Sequence, residues 1–189
     1  MHTEEQLRVN LKSLPEGMST VEAELNNDFF SRQEESEISG GSINVGMEIN
    51  RHGDNFRTNI VLKGVVEIPC DRCLDIMQQD VSTSTLLLVR LGELPEECDI
   101  KVTQYSEDGE TMIVEPTFGI ADLSWFVYET IALSIPTRHI HAPGQCNDAM
   151  VERMEELAPS LDAARSSEES ASDIDPRWNA LKQLKIENK

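Results

Sequence analysis

Ser42-Ile43-Asn44-Val45-Gly46-Met47-Glu48-Ile49-Asn50 alternates apolar and polar residues without a break. A period of two puts Ile43, Val45, Met47 and Ile49 on one face, so the stretch predicts a strand buried on one side and wet on the other. The next residues repeat the pattern. His52-Gly53-Asp54-Asn55 is a turn. Phe56 to Ile68 then runs back with Phe56, Ile60, Leu62, Val66 and Ile68 in phase. After a second turn, Met77 to Leu91 forms a third strand through Val81, Thr83, Thr85, Leu87 and Val89. Three such runs in succession predict an antiparallel meander.

Towards the N-terminus, Leu7, Val9 and Leu11 predict a strand over Gln6 to Leu14, ended by Pro15. Residues 19–30 read two ways: Val21, Leu25 and Phe29 have helical spacing, but the segment can also be irregular. Ser31 to Gly41 is polar and reads as a loop. Towards the C-terminus, Gly92 to Asp99 is an acidic loop, and Ile100–Val102 and Thr111–Val114 are short strand candidates around the turn at Glu107-Asp108-Gly109. Asp122 can cap a helix from Leu123 to Ser134. Its stripe of Leu123, Val127 and Ile131, with Phe126, Ile135 and Trp125 beside it, predicts a core helix across the sheet. Pro136 ends it. Residues 147–157 suit a short acidic helix. The fold expected is α+β: a curved, mainly antiparallel sheet, one buried helix packed across it and a short C-terminal helix. The expected domain is 1–158, with a flexible acidic linker over 159–174. An amphipathic helix over 175–189 follows, started by Asp175-Pro176.

Composition narrows the function. Lys plus Arg number 16 and Asp plus Glu 35, for a net charge of −19. Such a field repels phosphate and attracts basic partners. The bases are concentrated: residues 41–90 are nearly neutral and 176–189 are basic, so any nucleic-acid contact belongs there or in 138–146. Met1 to Glu5 has no basic or apolar leader character, and Leu86-Leu87-Leu88-Val89 is too short to span a membrane. The expected compartment is a reducing cytoplasm. There is no Gly-rich phosphate loop, nucleophile elbow or His-Glu-x-x-His motif, and no carboxylates are placed as a rigid facing pair.

Chemistry is confined to two clusters. Cys70 and Cys73 lie two residues apart in the turn after the second strand, and Arg138 to Cys146 follows the core helix. Zinc needs thiolate and imidazole donors converging tetrahedrally. Cys70 and Cys73 supply half of that set; His139 or His141, with Cys146, can supply the rest. The competing readings are an unliganded reduced turn and a redox dithiol. The last is disfavoured because the pair is flanked by strands rather than set at a helix N-terminus. Asp71 and Asp75 flank the turn and can orient a ligand or cap it. Cys98 reads as an ordinary thiol. Arg72, Arg138 and His139 crowd the same end of the sheet, either as an RNA phosphate contact or as solvated surface charge. Trp178 on the terminal helix, with Lys182 and Lys185 near it, is either a docking anchor for a partner or folded back on its own domain.

Val65-Val66-Glu67-Ile68-Pro69-Cys70-Asp71-Arg72-Cys73-Leu74 resembles the Cys-x-Arg-Cys turn of the YceD family, the bacterial large ribosomal RNA subunit accumulation proteins. Asp122-Leu123, Glu129, Ile131-Ala132-Leu133, Pro136 and His141-x4-Cys146 are similar to that family's second conserved segment. Asp175-Pro176-Arg177-Trp178-x-x-Leu181-Lys182 is similar to its C-terminal ending. The resemblance covers roughly residues 40–186. It implies a non-enzymatic, cytoplasmic role in the synthesis, processing or stability of large-subunit (23S) ribosomal RNA, with precursor RNA or ribosomal proteins as partners and no small-molecule substrate. Many relatives carry two or more cysteines in the second cluster. Here Cys146 stands alone with His141 at a ligand position, which makes Cys70, Cys73, His141 and Cys146 the expected metal set. An acidic adaptor or holdase for a basic ribosomal protein, and a thiol-redox protein, are the alternatives.

Overall fold

The computed structural model describes residues 6–33, 36–93, 103–106 and 109–157. Strands β1 (Arg8–Asn10), β2 (Gly17–Leu25), β3 (Gly40–His52), β4 (Asn55–Pro69) and β5 (Ile76–Leu91) come first. They are followed by β6 (Thr103–Ser106), β7 (Gly109–Val114) and β8 (Ile120–Asp122). The predicted meander is β3, β4 and β5, paired antiparallel from Gly40↔Glu67 to His52↔Asn55 and from Asn55↔Arg90 to Pro69↔Ile76. Gly53 turns the first hairpin with φ 61°, a conformation that suits glycine because it has no Cβ. The inward face of β4 is Phe56, Thr58, Ile60, Leu62, Val66 and Ile68, each at most 1% exposed. This is the predicted set with Thr58 added.

The ambiguous segment resolves as a strand followed by a short helix. β2 pairs antiparallel with β3 from Gly17↔Arg51 to Leu25↔Ile43. Ala23 and Leu25 are buried at strand spacing. The edge of β3 offers unpaired backbone groups along that whole length, which outweighs the local helical spacing. The helix is only α1 (Asn27–Phe30), capped where Asn26 Oδ1 accepts the Asp28 N–H at 3.1 Å. Phe29 and Phe30 are buried in an edge-to-face pair with centroids 5.3 Å apart. Gly40 and Gly41, expected in a loop, begin β3. At the N-terminus Leu7, Val9 and Leu11 are buried as expected, but the strand shortens to β1, which pairs with β8, and Leu11–Ser13 forms a 3-10 turn.

Beyond β5 the sheet is not a simple meander. Its order is β2-β3-β4-β5-β7-β6, and β7 runs parallel to β5 from Leu87↔Glu110 to Leu91↔Val114. β7 answers the Thr111–Val114 prediction; Ile100–Val102 and Cys98 lie outside the described residues. Helix α2 (Ser124–Ser134) follows β8. The helix starts one residue later than expected, so Leu123 and not Asp122 is the N-cap and makes no side-chain cap bond; Asp122 Oδ1 still accepts the Ser124 N–H at 3.1 Å from the residue before. Leu123, Val127 and Ile131 are buried and the helix packs on β5. Its opposite face is open: Trp125 is 64% and Leu133 80% exposed.

The chain divides into two compact units, Met1–Cys146 and Asn147–Lys189, where the sequence reading put a boundary at 158. In the second unit the predicted acidic helix is α3 (Asp148–Leu157). The predicted linker and terminal helix, with Trp178, Lys182 and Lys185, lie outside the described residues. Among the described residues no helix is long and apolar enough to cross a membrane.

β3 and β4 touch closely at Gly64, where an added Cβ would collide with the Ser42 carbonyl oxygen and come within 2.9 Å of Ile43 Cα. At Gly46 an added Cβ meets nothing within 4 Å. Gly64→Ala should therefore cost about 2 kcal/mol or more in urea unfolding. Gly46→Ala should change stability by no more than about 1 kcal/mol, with stabilisation the expected direction. Equal midpoints for the two variants would refute this reading of the β3–β4 contact.

Candidate metal centre

The inward alternation of β4 continues one residue past its end, and that residue is Cys70, with no exposed surface. The turn to β5 is tightly bonded. Cys70 N–H donates to the Asp75 carbonyl at 2.9 Å, and Leu74 N–H donates to the Cys70 carbonyl at 2.9 Å. Leu74, at φ 64°, is the one non-glycine with positive φ among the described residues. Such a residue costs of order 1–3 kcal/mol of backbone strain, and here it closes the turn that also buries Cys73.

The second cluster is brought to this turn by α2. The helix stops at Ser134, Pro136 follows, and the chain pairs with the cysteine turn in both directions. Asp71 N–H donates to the His139 carbonyl at 2.9 Å, and His139 N–H donates to Asp71 Oδ2 at 2.8 Å. Two residues on, His141 N–H donates to Cys70 Sγ at 3.4 Å, as does Arg72 N–H at 3.4 Å. A turn closed by Gln145 N–H to the Ala142 carbonyl (3.0 Å), with Gly144 at φ 80°, returns Cys146 to the same place. The Sγ atoms of Cys70, Cys73 and Cys146 and a ring nitrogen of His141 all lie within 4.8 Å of one another. His141 Nδ1 is 3.3 Å from Cys73 Sγ. The structure thus gathers all four residues of the expected metal set, and of the two histidines it selects His141.

His139 has a different position from the one expected. Its imidazole side chain is 10% exposed, with Nε2 3.4 Å from Asp71 Oδ1 and Nδ1 3.1 Å from the Pro136 carbonyl. It ties the two clusters together instead of facing solvent. Arg72 and Arg138 remain exposed beside it, and neither forms an ion pair among the described residues. The sequence reading placed Asp71 beside the turn without finding its partner. Its separation from His139 is 68 residues, and no local pattern links them. Leu74, Ile76 and Ile140, close in sequence to the two clusters, are exposed apolar residues, also unanticipated.

The thiols are electrostatically unlike. Burial pushes Cys70 up, but N–H groups of Cys73, His141 and Arg72 and the Cys73 thiol outweigh it and bring Cys70 down to about 6. Burial pushes Cys146 up, reinforced by the neighbouring Cys73 and Cys70 sulfurs. One thiolate is thus held ready by backbone donors while the fourth donor resists ionisation until something cationic compensates it.

The structure is a mainly antiparallel sheet in which a strand turn meets a post-helix loop and three cysteines and a histidine come together. The family described as "Large ribosomal RNA subunit accumulation protein YceD" matches residues 58–185, and the chain belongs to that family. No curated protein and no solved structure matches it.

In metal-free, reduced protein, thiolate absorbance near 240 nm should show one ionisation at about 6, abolished by Cys70→Ser. Because the folded value is lowered, the unfolded chain binds more protons between there and the ordinary value of 9.0, so stability should rise with pH through that window and fall as pH drops through 6. No ionisation below 8, or an unchanged titration in Cys70→Ser, would contradict the assignment.

Proposed function

We propose that this protein supports accumulation of large-subunit (23S) ribosomal RNA in the cytoplasm by binding, with no bond chemistry of its own. Membership of the family over residues 58–185 carries this reading. We further propose that Cys70, Cys73, His141 and Cys146 hold zinc. The donor types fit: thiolates and imidazole are the preferred zinc ligands. The spacing is close to what zinc needs: a tetrahedral site with bonds of about 2.0–2.3 Å has ligand–ligand edges of roughly 3.8 Å or less, so donors within 4.8 Å of one another need close by no more than about 1 Å. Four protein donors leave no position for an activated water, which is the arrangement of a structural site. The metal would neutralise thiolate charge and fasten the Cys70 turn to the loop after α2. Asp71 would position the loop through His139.

Arg72 and Arg138 are the phosphate contacts in this reading. Arg72 follows Asp71 and Arg138 precedes His139; the backbones of Asp71 and His139 share one hydrogen bond, and charge-assisted contacts to phosphate are strong. The net charge of −19 confines such contacts to local basic surface. Trp178, Lys182 and Lys185 are proposed as a second contact from the tail.

Protein purified without chelator should carry about one zinc per chain by elemental analysis, a stoichiometry set by one four-ligand site. Cys70→Ser and Cys146→Ser should lose it, and Asp71→Ala should weaken zinc affinity by about 10–100-fold. A trace of zinc only, with all three thiols freely alkylated in the native protein, would sink the metal reading. For the function, the protein should travel with large-subunit precursors on a sucrose gradient, and Arg72→Glu with Arg138→Glu should release it. Wild-type protein found only at the top of the gradient would overturn the RNA reading.

A further inference from the structure

The outer face of α2 carries Trp125, Glu129 and Leu133 at i, i+4 and i+8, a line along one side of a helix. Two clefts of about 280 and 260 Å³ lie along this line. The first is bounded by Gln33, Ser124 and Trp125, the second by Thr85 and Leu133, and Glu129 borders both. The two clefts share Glu129, and together they are the α2 groove; the first is also lined by Asp122, whose carboxylate is 3.7 Å from Arg8 Nε. Trp125 is held ready, its ring against Tyr128 with centroids 5.6 Å apart, and the Tyr128 hydroxyl bonds Ser36 Oγ at 2.7 Å. The buried Ser124 Oγ has no hydrogen-bond partner among the described residues. Among the described residues no lysine or arginine lines either cleft.

We infer that this groove binds an extended, arginine- or lysine-rich segment of a partner protein. An open indole face attracts a guanidinium or ammonium, Glu129 pairs with a second cation, and Leu133 takes an apolar residue. Trp125 to Leu133 spans roughly 12 Å at 1.5 Å per residue, the length of about four extended peptide residues. Glu129 borders both clefts and none of the described residues lining them is a lysine or arginine, so charge complementarity favours a basic peptide over nucleic-acid phosphate. The inference names a protein partner for the proposed ribosomal role and rests on that reading for its biological setting. The binding itself is independent of it.

The test uses full-length Trp178→Phe protein, in which Trp125 is the remaining tryptophan. Its emission is followed at near-physiological salt during titration with Ac-Gly-Arg-Arg-Leu-Arg-Gly-NH2, with the Glu-for-Arg peptide, and with decauridylate. The basic peptide should give a saturable change and the other two none. Glu129→Lys and Glu129→Gln should each weaken binding, the former by roughly tenfold or more, equal to about 1.4 kcal/mol. Glu48→Lys, the same charge change on an exposed position of β3, should stay within about twofold, since distant charges are screened. Leu133→Asp should also weaken it, with circular dichroism unchanged in every variant. Equal losses in Glu129→Lys and Glu48→Lys would reduce the effect to bulk charge. A response to decauridylate in place of the peptide would make the groove an RNA surface. Both results overturn the inference. Because no ribosomal RNA is present, failure here is distinct from failure of the gradient experiment.

Discussion

The side-chain alternation of β4 sets the position of nearly everything else. From Phe56 to Ile68 the even-numbered residues face the core, and the next in that series is Cys70. Each large apolar side chain on that face contributes about 1.5–3 kcal/mol by leaving water. A one-residue slip would turn the whole face to solvent and Cys70 with it. The burial of the first thiol is therefore not a separate feature of the site. It follows from the same hydrophobic register that pairs β4 with β3 and β5, and it explains why the thiol lies inside the turn, where backbone N–H groups can reach it.

The second half of the site depends on the first through hydrogen bonds that are not local. Asp71 gives its N–H to His139 and takes the His139 N–H on its carboxylate, so the loop after α2 is docked by backbone before any ligand atom is considered. That docking fixes the side-chain directions. His139 is caught between Asp71 and the Pro136 carbonyl, and His141, two residues on, meets Cys73. A tie between Cys73 and His141 closes a segment that includes β5, β7, β8 and α2. Closing so long a loop removes much of the freedom of the unfolded chain. This suits a sheet whose β7 is joined by a parallel, non-local pairing that is slow to find.

What could be read from sequence follows the same physics. β3, β4 and β5 were legible because each buries one face, and period two leaves one reading. Residues 19–30 were not, because Val21, Leu25 and Phe29 satisfy a helix while Val21, Ala23 and Leu25 satisfy a strand. The unpaired edge of β3 decides between them, and it is not encoded locally. The parallel placement of β7 was hidden for a related reason: Thr111 to Val114 announces a strand but not its neighbour. In the site, Cys70, Cys73 and Cys146 were evident from residue type and spacing. Residue type and spacing left His139 and His141 both open, and the family resemblance favoured His141; the contact that occupies His139, with Asp71 68 residues away, has no local pattern.

A chain with a net charge of −19 can present opposite preferences at two places only if their fields do not merge. Along β5 the clasp lies at Ile76, where the strand meets Pro69, and the α2 groove lies beside Thr83 to Thr85. Eight residues of strand separate Ile76 from Ser84, roughly 26 Å at 3.3 Å per residue. The Debye length at physiological salt is about 8 Å, so the Ile76 end of the strand is about three screening lengths from Ser84, whereas Arg138 lies four residues past Ser134 of the second cleft, about 14 Å or less of extended chain. At that range Arg138 and Glu129 are only partly screened from each other, so each moderates the other's preference for anion or cation. The sheet that buries Cys70 and the helix that follows β8 thus set how strongly the acidic cleft and the arginines at the cysteine turn influence each other.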